Sequence, residues 1–498
     1  MPAPWQLPVR LATALLLGSL MPFAFAPYGH DWLGVLALAG WVALLRERQL
    51  VYVHANRNRG FLIGFAFGFG WFGFGAWWLA DTFTTYGHLP YALSLFCVAL
   101  VGAALALFPG AWGWAASRLS RNHYDMLLLF PTLGMLEEWL RGHLFTGLPW
   151  TALGDLVLDT PAVGWASITG VYGATLLPTL AAAALTLTFS RFAWKAGLAG
   201  LAAIAILTAV APSCPDADGP ERQVVLVQPN IPQDVKWDAA FLNETMQRLA
   251  RLSQSSAYLS DVIVWPEAAV PFFLSEAPDW RQWLLERMQR WDKPVLFGGL
   301  KLLGEDRKAQ NGLYLFEPGA KELAFAGKQH LVPFGEYVPS WLPWLHKLVP
   351  DIGDFLPADD SGVLKSSAGH FGTLVCYESI FPEQARKRVR DGADVLVVVT
   401  NDAWYGRSPA AWQHFEAARM RAVETGRYVL RAANTGVTGI IAPDGHIVAN
   451  MPWWTTGVLH GTYRTSTHTT LYQRFGDWVA ASLVLALAAG LAWLWRRR

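Results

Sequence analysis

The chain has 498 residues, 53% of them hydrophobic, with 26 Trp and 15% charged residues. Ordinary soluble domains carry about 25% charged residues, so this composition excludes a wholly soluble chain, and a formal net charge of +1 gives no electrostatic case for a nucleic-acid partner. Cys97, Cys214 and Cys376 are too few and too scattered for a disulfide framework or a zinc site.

Apolar stretches long enough to cross a bilayer, at roughly 20 residues each, predict about eight transmembrane helices. They fall near 9–26, 31–46, 60–80, 89–117, 124–140, 162–190, 194–212 and 475–495, the second and fifth being short. Ala24-Phe25-Ala26 imitates a signal-peptidase site, but Pro27 and the further spans beyond it favour a retained helix. Basic residues stay cytoplasmic. Arg46, Arg48, Arg57 and Arg59, then Arg118 and Arg121, then Arg191 and Lys195, and finally Arg496–Arg498 all fall on one side if both ends are inside. The loop Asp81–Pro90 has no Lys or Arg and falls outside. The reading divides the chain into residues 1–214 with seven spans, a domain over 215–470 facing away from the cytoplasm, and 471–498 with the last span and a basic tail. Glu137, Glu138 and Arg141 end the fifth span and are expected to be structural.

Over 215–470 short β-branched runs alternate with helical patterns, predicting an α/β domain. Strands are expected at Val224–Val227, Val262–Trp265, Val295–Gly298, Leu313–Phe316, Gly372–Val375, Val395–Thr400, Tyr428–Ala432 and Gly439–Ala442, and helices near 238–257, 279–291, 381–390 and 412–426. The unbroken apolar run Val395–Val399 suits a strand buried on both faces. Three segments that end or follow strands carry reactive side chains: Val262–Glu267 with Glu267, Phe325–Glu336 with Lys328, His330 and Glu336, and Gly372–Ser379 with Cys376 and Glu378. Active groups of α/β folds gather at carboxyl ends of strands. A thiolate is the nucleophilic form of cysteine. A carboxylate can take the thiol proton, and an ammonium can lower the thiol pKa and hold an oxyanion. Taken singly, each of these residues also has an ordinary reading, as a buried small hydrophobe, a turn residue or a surface charge, and His330 is read as structural.

On these residues the domain resembles the carbon–nitrogen hydrolase superfamily, over roughly 222–465. The spans around it, with Arg141–Trp150, Gln228–Gln233 followed by Trp237, and Asn401–Gly406, resemble its membrane-embedded branch, the apolipoprotein N-acyltransferases. The resemblance implies an αββα nitrilase-like sandwich with Glu267 as general base, Lys328 as oxyanion and pKa partner, and Cys376 as nucleophile. It further implies that Glu336 and Glu378 hold Lys328 and the incoming amine, that the Tyr377 N–H joins the oxyanion hole, and that Trp237 and Trp404 line the substrate site. The implied reaction is ping-pong: an acyl chain leaves a phospholipid, phosphatidylethanolamine being expected, for Cys376, and passes to the α-amine of a diacylglyceryl-cysteine apolipoprotein. No metal or cofactor is expected. The implied setting is the bacterial inner membrane with the catalytic domain in the periplasm, and a monomer. The aromatic, Pro-punctuated segment Val338–Pro350 is expected to be a lid at the membrane surface. A membrane-anchored amidase or nitrilase using the same triad, and a transporter with an appended domain, are the competing readings.

Overall fold

In a computed structural model, residues 6–46, 59–120, 122, 124–304, 307–339 and 354–486 are described. Two compact units result: Met1–Ser213 with Ser408–Glu416 and Phe475–Arg498, and Cys214–Arg407 with Ala417–Arg474.

The first unit is helical: α1 (Gln6–Leu20), α2 (Asp31–Arg46), α3 (Arg59–Gly68), α4 (Leu79–Thr85), α5 (Tyr91–Leu119), α6 (Asp125–His143), α7 (Ala166–Ala174), α8 (Leu176–Thr188) and α9 (Trp194–Ala209). Among the described residues, Gln6–Ala24 and Tyr91–Leu119 are long and apolar enough to cross a bilayer; Pro161–Ala174 and Leu176–Thr188, bent by 69°, add a third if they form one span. Over the predicted span at 60–80, α3 runs on through a π-helical turn, Phe69–Gly73, and α4 begins at Leu79. The expected span at 475–495 is helical from 478 to 486, and its remainder lies outside the described residues. Close backbone approach holds this unit together. A Cβ on Gly64 would meet the Pro109 carbonyl oxygen at 2.2 Å, so glycine lets α3 and α5 touch.

Glu137, Glu138 and Arg141 are buried at the end of α6. Arg141 Nη1 donates to the Leu148 and Trp150 carbonyls at 2.7 and 3.0 Å. Glu138 Oε1 accepts from Arg141 Nη2 at 3.1 Å and from Leu153 N at 2.7 Å, and its other oxygen accepts from Thr175. The ion pair thus folds the following loop, Leu144–Leu153, back onto α6, a structural role as expected.

The second unit contains two six-stranded sheets. With β1 (Glu221–Gln228), β2 (Val262–Val264), β3 (Val295–Leu303), β4 (Lys308–Phe316), β5 (Ala324–Gly327), β6 (Val363–Ser366), β7 (Gly369–Val375), β8 (Val395–Thr400), β9 (Val429–Ala433), β10 (Gly439–Ile441), β11 (Ile447–Asn450) and β12 (Gly457–Arg464), the orders are β12-β1-β2-β3-β4-β5 and β11-β10-β9-β8-β7-β6. Every parallel pair is joined through a helix, as parallel strands require: α10 (Leu242–Gln254) between β1 and β2, α11 (Pro278–Trp291) between β2 and β3, α12 (Pro382–Arg390) between β7 and β8, and α13 (Ala410–Thr425) between β8 and β9. One apolar core lies between the sheets, where Leu226, Val264 and Leu313 meet Phe371, Val397 and Leu430. A second, with Val225, Ile263 and Phe297, lies beneath Met246 and Leu284 of α10 and α11. This alternation of faces along β1 and β2 is the period-2 signature of strands covered on both sides. The expected lid, Val338–Pro350, lies outside the described residues from position 340 onward.

Candidate active site

Glu267, Lys328 and Cys376 each stand just beyond the carboxyl end of a strand, after β2, β5 and β7. Two sheets therefore supply one centre. Asn311 joins two of them, donating to the Glu267 carboxylate at 2.8 Å and accepting from the Lys328 main-chain N–H at 2.8 Å, and the Glu267 and Lys328 charges push the Cys376 thiol in opposite directions.

Glu267 is held at both carboxylate oxygens. Asn311 Nδ2 donates to Oε1 at 2.8 Å and the Asn401 main-chain N–H to Oε2 at 2.9 Å. Its backbone lies directly on β3; a Cβ on Gly298 would meet Pro266 O at 2.4 Å, Ala268 N at 2.6 Å and Glu267 Cα at 2.7 Å. Ala268, the next residue, takes φ +47, a conformation costly for a residue with a Cβ. Lys236 Nζ donates to the Glu267 carbonyl at 3.0 Å from a buried position.

Lys328 is buried and ion-paired with Glu336, Nζ to Oε1 at 2.8 Å. Burial alone pushes its ammonium down, but the carboxylates of Glu336 and then Glu267 outweigh it and hold Lys328 above the ordinary lysine range. Glu336 Oε2 accepts from Val332 N at 2.8 Å, so the carboxylate also shapes its own loop. Asn311 N–H and C=O groups knit the pair to the base: its side chain reaches Glu336 Oε1 at 3.5 Å, and its carbonyl accepts from Lys328 N at 2.8 Å.

Cys376 begins a short 3₁₀ turn, Cys376–Ile380, with φ +53. Left-handed backbone at a non-glycine residue costs of order 1–3 kcal/mol and persists where surroundings impose it. Glu378 imposes it here. Its Oε2 accepts from Val375 N at 2.7 Å, and its Oε1 from Gln329 N at 2.8 Å, His330 N at 3.1 Å and Arg388 Nη2 at 3.3 Å. Glu378 is fully buried and ties the nucleophile turn to the stretch after Lys328; its ion-pair partner is Arg388, and Lys328 pairs with Glu336 instead. His330 packs against Phe381 with centroids 3.9 Å apart and the rings tilted by 33°, a packing contact.

The thiol departs from expectation. Burial first, and the Glu267 charge second, push Cys376 up to about 12, and the opposing pull of Lys328 does not restore it. Burial and the Glu267 charge thus favour the thiol over the thiolate, and a carboxylate base suits that form. Cys97, Cys214 and Cys376 are in no disulfide.

Sequence reasoning missed Asn311, Lys236 and the pair behind Cys376. There, Arg431 Nη2 donates to Asp402 Oδ2 at 2.8 Å and Thr400 Oγ1 to Asp402 Oδ1 at 2.7 Å. Burial, followed by the charges of Cys376, Asp402 and Glu267, raises Tyr405 well above an ordinary phenol. Asn401, Asp402 and Tyr405 lie in a segment the sequence singled out, but Asn311 sits inside a strand and gives no local signal. Asn401 Nδ2 also donates to Gln233 Oε1 at 2.6 Å, anchoring the segment that carries Lys236 and Trp237. Trp237 and Trp404 are both exposed, and Tyr377 is buried. Among the described residues no cluster of three or more His, Cys, Asp or Glu could hold a metal.

The arrangement is a buried nucleophile, a fixed carboxylate and a fixed ammonium, fit for acyl transfer through a covalent intermediate. Residues 223–471 match the family described as carbon-nitrogen hydrolase, and residues 17–184 match the apolipoprotein N-acyltransferase N-terminal domain. The apolipoprotein N-acyltransferase of Geobacter metallireducens is 35% identical, covering 97% of this chain and 95% of its own. That of Nitrosomonas europaea is 36% identical with 97% of both chains covered, and that of Methylococcus capsulatus 36% with 97% and 96%. A carbon-nitrogen hydrolase from Helicobacter pylori G27 covers 49% of this chain at 14% identity and TM-score 0.38, too distant to carry a residue role. Likeness over nearly the whole length, through both the helical and the catalytic units, places this chain in the apolipoprotein N-acyltransferase family.

Proposed function

We propose that the protein moves an acyl chain from a phospholipid to the α-amino group of the N-terminal diacylglyceryl-cysteine of an apolipoprotein, by way of a thioester on Cys376. One observation carries the residue roles: the carboxylate of buried Glu267 has each of its two oxygens fixed by an N–H donor, in the centre that holds the buried Cys376 thiol. Glu267 takes the thiol proton as sulfur attacks the ester carbonyl. Lys328, kept cationic by Glu336, and the Tyr377 N–H face the developing oxyanion. Glu267 returns the proton to the departing lysophospholipid oxygen. It then accepts a proton from the α-amine, whose ordinary pKa is about 7.7–8.0, as that amine attacks the thioester, and gives this proton to the leaving Cys376 sulfur, which restores the thiol and the carboxylate. Glu378 supports the nucleophile turn rather than the amine, and Trp237 and Trp404 offer exposed aromatic faces to substrate.

The donor is phosphatidylethanolamine, and the chain acts as a monomer in the bacterial inner membrane. Its helices make eight spans with both ends cytoplasmic, and the catalytic domain faces the periplasm. The one-sided distribution of Arg and Lys supports this orientation. Both substrates carry acyl chains, each costing about 0.8 kcal/mol per CH₂ to lift from lipid, so a catalytic domain held at the bilayer meets them where they lie. The function is tested by supplying phosphatidylethanolamine labelled in its acyl chains and a diacylglyceryl lipopeptide. Label in amide linkage on the peptide supports it; label appearing as free fatty acid at the same rate with or without peptide would make the protein a hydrolase.

A further inference from the structure

Lys236 is a second lysine of the catalytic centre, and the reaction as written gives it no part. It is 3% exposed. Its Nζ makes one hydrogen bond among the described residues, to the Glu267 main-chain oxygen at 3.0 Å. An ammonium has three donors, so two remain without a protein partner there. A buried lysine is costly unless its charge is compensated.

The charges of the centre show what compensates it. Lys328 is paired with Glu336, Arg388 with Glu378 and Arg431 with Asp402. Glu267 makes no ion pair among the described residues; its carboxylate takes only the neutral donors Asn311 Nδ2 and Asn401 N. Among the described residues of the centre, the anion and the cation left over are Glu267 and Lys236. We propose that Lys236 is the counter-cation and positioning residue of the base: it fixes the Glu267 carbonyl, and so the left-handed turn at Ala268, while its charge favours the anionic forms of Glu267 and Cys376. The assignment rests on the acyl-transfer reading of the site.

The two lysines then divide the work. Lys328, gripped by a carboxylate, keeps its proton throughout. Among the described residues Lys236 touches no carboxylate oxygen, and burial pushes it down to about 8 against the raising influence of Glu267 first and Cys376 second. Its charge, and the help it gives, fade as pH rises through that value.

The test compares Lys236→Met and Lys236→Arg in the full-length protein, with thermal unfolding recorded for each. Two rates are read: alkylation of Cys376 by iodoacetamide at pH 7.5, which needs no lipid, and thioester formation from phosphatidylethanolamine across pH. In the wild type, thioester formation is expected to fall above pH about 8. Lys236→Met should slow alkylation about tenfold, the equivalent of one unit in the thiol pKa. Lys236→Arg, which stays charged, should restore most of that rate and remove the fall near pH 8. Wild-type alkylation in Lys236→Met, or an alkaline fall unmoved in Lys236→Arg, would overturn the assignment; the second readout decides even if the methionine variant does not fold. A wild type that alkylates but takes no acyl chain would contradict the acyl-transfer reading, while the alkylation comparison still decides the role of Lys236.

Discussion

Asn311 donates to Glu267 at 2.8 Å from β4, the strand beside the one that delivers Lys328. The same Nδ2 reaches Glu336 at 3.5 Å, so one amide sets the spacing between the base and the carboxylate that holds the lysine. Asn311→Leu removes a donor and leaves Glu267 short of a bond in a buried place. Hydrogen bonds to charged groups contribute about 1.5–3 kcal/mol, which predicts a loss of roughly ten- to a hundredfold in lysophospholipid release. Asn311→Asp should be worse, because it sets a third carboxylate between two others. An Asn311→Leu enzyme with an unchanged burst of lysophospholipid would refute this account of the base.

Glu336→Gln leaves the Lys328 ammonium buried without its anion. Breaking a buried pair by removing one member costs about 3–5 kcal/mol. The variant should unfold at clearly lower temperature and form no thioester. Removal of both charges, in Lys328→Met with Glu336→Leu, should recover much of the stability and none of the activity. Stability that stays low in the double variant would show that Glu336 acts through its loop bond to Val332 instead.

Gly298→Ala tests backbone approach without touching any reactive group. The added methyl would meet Pro266, Glu267 and Ala268 backbone atoms at 2.4–2.7 Å, contacts too short to keep. β3 or the Glu267 turn must move, and a displacement of about 1 Å costs on the order of a hundredfold in rate. The prediction is a folded protein whose Cys376 is still present as free thiol but whose acylation is slowed by about that factor.

Much of this centre was legible in the sequence, for a physical reason. A buried strand such as Val395–Thr400 writes its burial as an unbroken β-branched run, and its observed limits are those expected. Glu267 and Cys376 follow such strands, whereas Lys328 follows β5, Ala324–Gly327, which has no β-branched residue and was not among the expected strands. What stayed hidden depends on pairing between distant segments. β12 aligns with β1 from Glu221↔Arg464 to Gln228↔Gly457, yet its own sequence, with two glycines and a histidine, has no strand pattern. The role of Glu378 was likewise invisible, because its partners Gln329, His330 and Arg388 lie on other segments. Lys236 gave no signal beside Trp237, since nothing in a chain order says that a lysine will be buried against a carbonyl 31 residues on.

The state of the thiol makes a pH prediction. Cys376 stands at about 12, against about 8.5 for a free cysteine, so less thiolate is present at neutral pH in the folded protein. Alkylation of Cys376 at pH 7.5 should be slower than that of a free thiol by on the order of a thousandfold or more, and Glu267→Gln should show no compensating base-assisted acylation by lipid. Alkylation as fast as that of free cysteine would mean a standing thiolate and would remove the need for Glu267 as base.

The central claim is a thioester on Cys376 that passes to an amine. Intact-mass measurement of the purified protein, after phosphatidylethanolamine is added and again after a diacylglyceryl lipopeptide follows, tests it most directly. The account predicts a mass gain of one acyl group on Cys376, absent in Cys376→Ser, that disappears as the peptide gains the same mass at its α-amine. No adduct under reducing conditions, or one that decays as fast in water alone as with peptide, would contradict it.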